Sequence, residues 1–148
     1  MGPEAKLWSA MRRGMKTVGP GDTWARMETG STQSGVPDVL ASIRVRDASI
    51  REQAPRVHVV WVELKVARHN AVLLHKWQVR WHRHHAKNRG AGAILAATPT
   101  HLLVWPSASA PAVAVLGTAA PGAWSGLRRK VGIWGRVRAE LIRIAEAA

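Results

Sequence analysis

Apolar residues in the first part of the chain recur at helical spacing and then give way to turn-forming residues. Leu7, Met11 and Met15 are four residues apart and predict one buried face of a helix. The segment Val18-Gly-Pro-Gly-Asp22 would end that helix, because glycine and proline interrupt helical geometry. The elements predicted here are a helix over Pro3 to Lys16, a short strand over Thr23 to Met27 and a small-residue loop over Thr29 to Gly35.

Two segments in the middle of the chain have the alternation and the β-branched content of strands. Val36 to Val45 and Val57 to Val66 are joined by a charged connection over Arg46 to Pro55, which favours a hairpin or a neighbouring pair. Successive side chains of a strand point to opposite faces. One face of the second strand is then entirely aliphatic and the other is mixed, with Val60, Val62, Leu64 and Val66 on the first and Val59, Trp61, Glu63 and Lys65 on the second.

A helix is predicted next, over Val72 to Arg89, with Asn88 and Gly90 suited to a left-handed helix end. At 100° per residue its apolar and basic residues separate onto different faces. The predicted buried stripe is Leu73, Leu74, Trp77 and Trp81, and the basic stripe is Lys76, Arg80, Arg83 and Lys87.

The remainder of the chain predicts three short strands and a final helix. The strands are expected over Ala91 to Thr98, His101 to Trp105 and Ala112 to Leu116, and the helix over Gly132 to Ala148 carries Val137, Leu141, Ile144 and, as a further candidate, Ile142. These elements together predict an α/β core in which a central mixed β-sheet is flanked by helices.

Composition adds a class of partner to this outline. The chain has 148 residues, 47% of them hydrophobic, so a single domain over residues 1–148 is expected. Its 22 Lys and Arg against 9 Asp and Glu give a formal charge of +13, which should attract a polyanion, first of all nucleic acid. There is neither an apolar run long enough to span a membrane nor a signal-like N-terminus, so a cytoplasmic protein is expected.

The chemistry available to the chain is limited to oxygen and imidazole ligands, because it has no cysteine. Glu63 and Lys65 share one face of a strand whose other face is aliphatic. Taken alone, such a pair is typical of a half-exposed surface ion pair. Asp38 changes that interpretation, because strand pairing would bring a second carboxylate beside Glu63, within the reach of one metal ion.

These residues carry a resemblance to a known family. The chain resembles the PD-(D/E)xK nuclease superfamily, and within it the VRR-NUC group and small phage nucleases of the Holliday-junction-resolvase type. The residues that match are Glu28, Gly35-Val36-Pro37-Asp38, Glu63-Leu64-Lys65, and Gln78 with Trp81 on the following helix. The resemblance covers about residues 27–105 and leaves a basic helical extension over about residues 122–148.

The resemblance implies a restriction-endonuclease-like core and a metal-dependent DNA endonuclease. Asp38, Glu63 and the carbonyl of Leu64 would hold Mg²⁺ or Mn²⁺, which activates water and stabilises charge on the phosphate. Lys65 would orient the water and neutralise developing charge. Cleavage that leaves 5′-phosphate and 3′-hydroxyl ends is the expectation.

Three further residues leave alternatives open. Glu28 would complete the metal site directly or through water, or is a surface glutamate at the edge of a loop. Glu4, on the first helix, is its rival for the role of further acid. Gln78 would touch the active site or the backbone, or would serve packing alone.

The basic and histidine-rich segments point to DNA more than to a second metal. No acid alternates with Lys76, Arg80, Arg83 and Lys87, which favours phosphate binding over a simple solvated face. For the run His82-Arg-His-His85 a solvated or phosphate-facing surface is expected, in preference to a metal site. A second basic cluster, comprising Arg128, Arg129, Lys130, Arg136 and Arg138, suits either flanking duplex or a mobile tail. Trp61 is expected in the core, with base stacking as the alternative.

The expected substrate is DNA, and by resemblance branched DNA, such as a Holliday junction, cut by a symmetric homodimer in phage-type DNA processing or recombination. A general or nicking nuclease of the same fold would carry the same motif. The alternatives from other classes are a non-catalytic basic DNA-binding protein and an RNA-associated basic protein.

Overall fold

Six strands, four α-helices and two single-turn 3-10 helices are found in the part of the chain that this computed structural model describes, residues 2–27, 35–46 and 55–148. The helices are α1 (Pro3–Val18), α2 (Lys76–Lys87), α3 (Ala110–Leu116) and α4 (Ile133–Ala147). The strands are β1 (Thr23–Arg26), β2 (Val39–Val45), β3 (Arg56–Val66), β4 (Gly92–Ala97), β5 (His101–Pro106) and β6 (Trp124–Leu127).

The strands form one sheet in the order β1-β2-β3-β4-β5-β6. All neighbours are antiparallel except β3 and β4, which are parallel because α2 crosses over between them. The predicted class, an α/β protein with a central mixed sheet flanked by helices, is confirmed. The predicted pairing of the strands that became β2 and β3 is confirmed too, with Val39 opposite Val62.

One face of the sheet is covered by α1 and α4, which also pack against each other. Leu7, Met11 and Met15 are buried, as their spacing predicts. They meet the aliphatic face of β3 and the apolar stripe of α4 in the main core, which contains Val60, Val62, Leu64, Val137, Leu141 and Ile144. Since α4 belongs to this core, the C-terminal helical segment is an integral layer of the fold.

The opposite face of the sheet is covered by α2 and α3 over its middle strands. A second, smaller apolar cluster lies there, made of Val72, Ile94, Ala96, Trp105, Ala110, Val113 and Ala120. Ile94 is opposite Glu63 in the parallel register, so Glu63 lies on this side of the sheet, beside an apolar cluster.

The start and the end of α2 differ from the prediction. The helix begins at Lys76, where the side-chain oxygen of Gln78 accepts from the backbone N–H of the N-cap residue His75. Before it, Arg68 and Ala71 form an isolated β-bridge around two residues with positive φ. At the other end Arg89 takes the left-handed conformation, with φ 60°, in place of Asn88 or Gly90. Tertiary packing therefore overrides the helical pattern of the segment before Lys76.

The predicted buried stripe is wrong for two of its four residues. Leu73 is 67% exposed and Trp77 is 41% exposed, while Leu74 and Trp81 are only partly buried. The fully buried residue of the helix is His82. The inward-facing residues of the helix are polar because they hydrogen-bond to polar groups beneath it: Gln78 contacts Glu63, and His82 contacts Ser107.

The histidines of α2 are among those inward-facing residues, so the expected solvated surface is wrong for two of them. His82 Nδ1 and Ser107 Oγ are 2.7 Å apart, and both residues are buried. His85 Nε2 is 3.0 Å from the carbonyl oxygen of Ala91, to which it donates. Both histidines thus attach the helix to the segments below it.

The segment Ala112 to Leu116, predicted as a strand, lies in helix α3. Pro111 stands in the first helical turn, where its missing N–H costs nothing, and alanine favours the helix. The sixth strand comes from Trp124–Leu127 instead, a segment with too few apolar residues to signal a strand. Among the described helices, none is long and apolar enough to cross a membrane.

The second basic cluster is largely engaged in structural contacts, which excludes a mobile tail for α4. Arg138 donates to Asp22 at 2.7 Å and so ties α4 to the turn before β1. Arg128 donates to the carbonyl oxygen of Thr98, and the guanidinium of Arg136 lies 5.6 Å from the ring centroid of Trp124.

Candidate active site

Asp38 and Glu63 are brought into direct contact where β2 begins beside β3. The backbone N–H of Asp38 donates to Glu63 Oε2 at 3.1 Å, and the backbone N–H of Leu64 donates to Asp38 Oδ2 at 3.0 Å. Each carboxylate thus accepts a hydrogen bond from the backbone of the segment that carries the other. This reciprocal bonding fixes the positions of both side chains.

Gln78 holds the second oxygen of Glu63. Its side-chain N–H donates to Glu63 Oε1, while its side-chain oxygen accepts from the backbone N–H of His75 at 2.9 Å. The latter bond caps the first turn of α2. Both of the contacts considered for Gln78 are thus realised: the same amide starts the helix and reaches the acidic pair.

Lys65 completes the group from the same face of β3. Its ammonium nitrogen is 3.9 Å from Glu63 Oε1, and its side chain is 12% exposed, whereas that of Glu63 is fully buried. Lys65 therefore forms the solvent side of a site whose carboxylate lies deeper.

The acidic pair is electrostatically unfavourable by itself. Burial, and then the charge of Asp38, raise the pKa of Glu63 to about 9, against the opposing effect of Lys65. A surface ion pair would not have this property, because solvent would screen both charges. The environment therefore favours a proton or a cation on the pair.

Gly35 determines how closely the segment that leads to Asp38 packs against α2. Its φ is +66°, and a Cβ at this position would collide with the backbone carbonyl of Trp77 in the first turn of α2. Only glycine combines that backbone angle with that close contact. The G-x-PD turn and the start of α2 are consequently locked together around the site.

A backbone carbonyl is available beside the two carboxylates. The β2–β3 ladder ends at Val39 opposite Val62, and Pro37, two residues earlier, has no N–H to donate. The N–H and C=O of one strand residue point to the same side, and the N–H of Leu64 points at Asp38. The carbonyl of Leu64 therefore faces the side of the acidic pair.

Two adjacent carboxylates, of which Glu63 has a raised pKa, and a backbone carbonyl are a donor set that suits a hard divalent cation. Within the described ranges, no group of three or more acids and histidines is close enough to hold a metal. Glu28 falls outside the described residues. Glu4 is exposed in the first turn of α1, beside Arg26 and Arg68, and is not among the groups bonded to the pair.

Comparison with known proteins does not assign the chain to a family. No family model matches the chain, and the search of curated proteins finds no match. The resemblance to PD-(D/E)xK nucleases stays a prediction.

The basic stripe lies on the outer face of α2. Lys76, Arg80, Arg83 and Lys87 are all exposed and line one shallow surface groove with Val79 and His84. The stripe starts two residues before Gln78. A polyanion that follows it would reach the first turn of α2, next to the acidic pair.

Three tryptophans lie near the site, Trp61, Trp77 and Trp81. Trp61 is partly buried and meets Trp81 edge to face, at 5.8 Å between ring centroids, and Trp81 stacks on His85 at 4.4 Å. This aromatic group supports α2 beside the site. The exposure of Trp77 was missed, because its spacing from Trp81 gives it the signature of a buried residue.

Proposed function

We propose that this chain is a metal-dependent DNA endonuclease that hydrolyses phosphodiester bonds at Asp38, Glu63 and Lys65. The observation that carries the proposal is the pair of the part-buried Asp38 and the buried Glu63, held in contact by reciprocal backbone hydrogen bonds. A purely structural role would not need two acidic groups packed together, because replacing one of them by a neutral group would remove the cost of their proximity. Functional sites are where such costs are retained.

Asp38, Glu63 and the carbonyl of Leu64 are the groups that would hold Mg²⁺ or Mn²⁺. The ion would supply Lewis acidity toward a phosphate oxygen and toward water. Glu28 is proposed as a further acid, and it lies on the chain one residue after Met27, whose N–H donates to the carbonyl of Asp38.

The chain's own groups have distinct tasks in this proposal. Gln78 keeps Glu63 in one conformation, so that its carboxylate needs no rearrangement on binding. Lys65, at the solvent side of Glu63, neutralises charge on the scissile phosphate and orients the attacking water by hydrogen bonding.

The DNA backbone would follow the basic stripe of α2 into the site. Branched DNA of the Holliday-junction type, cut by a homodimer, is the preferred substrate on the resemblance alone. A general or nicking nuclease of the same fold is consistent with the same residues.

A non-catalytic DNA-binding protein is the second candidate. The observation that favours it is that the described residues bring two carboxylates together and not three. The two candidates differ in their dependence on divalent ions, since a binder would retain DNA in proportion to its basic contacts and would ignore Mg²⁺.

The test is cleavage of labelled four-way-junction and linear duplex DNA in Mg²⁺, Mn²⁺ and EDTA. We expect cutting only with a divalent ion, and a loss of roughly 100-fold or more in Asp38→Asn and in Lys65→Met. Asp38→Asn keeps an oxygen to accept from the N–H of Leu64, so the change removes charge more than structure.

Glu146→Gln and Lys16→Met are the matched controls, because both side chains are exposed and belong to the opposite layer of the molecule. Both should cut at the wild-type rate. Wild-type protein that binds these DNAs and cuts none with any divalent ion would replace the nuclease by the binding protein.

A further inference from the structure

Trp77 is an unusual surface residue for its position. Tryptophan is normally largely buried, yet this side chain is 41% exposed in the first turn of α2. Leu73, in the segment that leads into the helix, is exposed as well. Two large apolar side chains are thus exposed close in sequence to the start of the basic stripe.

The backbone of Trp77 is rigidly connected to the acidic pair. Its carbonyl is the group against which Gly35 packs, and its chain neighbour Gln78 donates to Glu63. Gly35 in turn leads through Pro37 to Asp38. The ring of Trp77 is therefore carried by the same structural unit that positions both carboxylates.

The ammonium group of Lys76 lies close to the ring of Trp77. The ammonium nitrogen of Lys76 lies 5.0 Å from the ring centroid, and the side chain is exposed. An exposed aromatic ring can stack on another ring, and a positive charge beside it can bind an anion. A nucleotide has the complementary pair, a base and a phosphate.

We infer that Trp77 is a stacking platform for an unpaired base beside the acidic pair of Asp38 and Glu63, with Lys76 contacting the adjoining phosphate. The inference rests on the proposed nuclease function, because it takes DNA as the ligand of this surface. It adds a selection rule: the substrate has at least one unstacked nucleotide near the cleavage point. A base inside an intact duplex is already stacked on its neighbours and does not offer its face to the ring.

The test measures binding in EDTA, so that cleavage plays no part. The probes are a short DNA duplex with one unpaired 2-aminopurine and the same duplex with that base paired. Wild-type protein should bind the unpaired probe roughly 10-fold more tightly and quench its fluorescence on stacking. Trp77→Ala should bind both probes equally and leave the fluorescence unquenched, and Trp77→Phe should restore part of both effects.

Two neighbouring variants separate stacking from charge and from general apolar contact. Lys76→Gln should weaken binding of both probes by a similar factor, because it removes a phosphate contact. Leu73→Ala should leave the quenching intact, because leucine has no aromatic face. Unchanged quenching in Trp77→Ala would overturn the inference, as would a change in sedimentation that showed Trp77 to be a contact between two copies.

Failure of this inference and failure of the nuclease proposal give different results. Metal-dependent cutting of paired and unpaired DNA at equal rates, unaltered by Trp77→Ala, rejects stacking and leaves the nuclease intact. Quenching that depends on Trp77, without cutting under any metal, supports the platform and rejects the nuclease.

Discussion

At the level of single residues, the contact between the carboxylates of Asp38 and Glu63 lowers the stability of the folded protein. Asp38 and Glu63 are fixed by backbone hydrogen bonds although burial and mutual repulsion raise the pKa of Glu63 to about 9. Asp22 is the opposite case, because its carboxylate is paired with the guanidinium of Arg138 at 2.7 Å. The same substitution at the two aspartates should therefore act on stability with opposite sign.

Asp38→Asn should raise the melting temperature in EDTA by a few degrees, since about 1 kcal/mol corresponds to roughly 2–4 °C in a domain of this size. Asp22→Asn should lower it, because the substitution removes the charged partner of Arg138. Thermal denaturation of the three proteins in EDTA measures both effects. A lower melting temperature for Asp38→Asn would mean that its charge is compensated in the folded protein.

His82 is the second residue whose environment opposes its charge. Burial, and then the charges of His85 and Lys65, lower its pKa from 6.5 to about 4. Above pH 6.5 the imidazole is neutral in the folded and the unfolded chain, so it does not change the balance between them. Between pH 6.5 and pH 4 only the unfolded chain binds the proton, and stability falls with falling pH.

His82→Asn should therefore flatten the acid side of the stability profile, by up to about 1.4 kcal/mol per pH unit. Asparagine also keeps a polar group within reach of Ser107. His84→Asn, exposed on the same helix, should leave the profile as in wild type. Denaturant unfolding across the acid range that separates the two pKa values gives the comparison, and equal slopes for wild type and His82→Asn would reject the assignment.

At the level of elements, the site is a junction between the turn before β2, the C-terminal part of β3 and the first turn of α2. Gly35 is the contact point of the first and the last of these, with φ +66° and no room for a Cβ against Trp77. Gly122 provides a comparison, because its φ is +83° but a Cβ there would meet open space.

Gly35→Ala should reduce both stability and metal-dependent cleavage, because Asp38 would be displaced from Glu63. Gly122→Ala should cost about 1 kcal/mol, the usual cost of a left-handed residue, and leave cleavage unchanged. Melting curves and cleavage rates of the two variants check this. Normal cleavage by Gly35→Ala would show that the turn does not set the position of Asp38.

The sequence predicted those parts of the fold that depend on local periodicity. Leu7, Met11 and Met15 were assigned to a buried face, and the contact of Asp38 with Glu63 follows from strand pairing. The start of α2 and the exposure of Trp77 were not predictable in this way. They depend on which groups lie beneath the helix, namely Glu63 for Gln78 and Ser107 for His82.

The missed strand and the misassigned helix have a related cause. The valines of Ala110–Leu116 suggest a strand, but Pro111 in the first turn and the alanines favour the helix that forms. β6 is recognisable only from its partner, since Gly126 pairs with Leu102 of a strongly apolar strand. Short edge segments carry little signal of their own.

At the scale of the whole molecule, positive charge is present on both outer layers. The stripe of α2 lies on the side of the acidic pair, whereas α1 carries four exposed basic residues on the opposite layer, namely Lys6, Arg12, Arg13 and Lys16. A net charge of +13 would attract DNA to either side. The α2 side is the side of the sheet on which Glu63 lies, in contact with Gln78.

Replacing Lys76, Arg80, Arg83 and Lys87 by Gln should weaken DNA binding and reduce its salt dependence. The logarithmic slope should fall by roughly 0.9 for each phosphate that the variant no longer neutralises. Gln in place of the four basic residues of α1 is the matched control and should leave the slope nearly unchanged. Binding isotherms at several salt concentrations provide the slopes, and a larger effect from the α1 set would place the DNA on the other layer.

The described sheet ends on each side in a strand of only four residues, β1 and β6, while its longest strand, β3, is internal. Short edges present few free backbone groups to a second molecule, which disfavours self-association by strand addition and the aggregation that can follow from it. A dimer of this protein would therefore join through side chains of its helical or open sheet surfaces. Its affinity would then respond to point substitutions there more than to changes in the two edge strands.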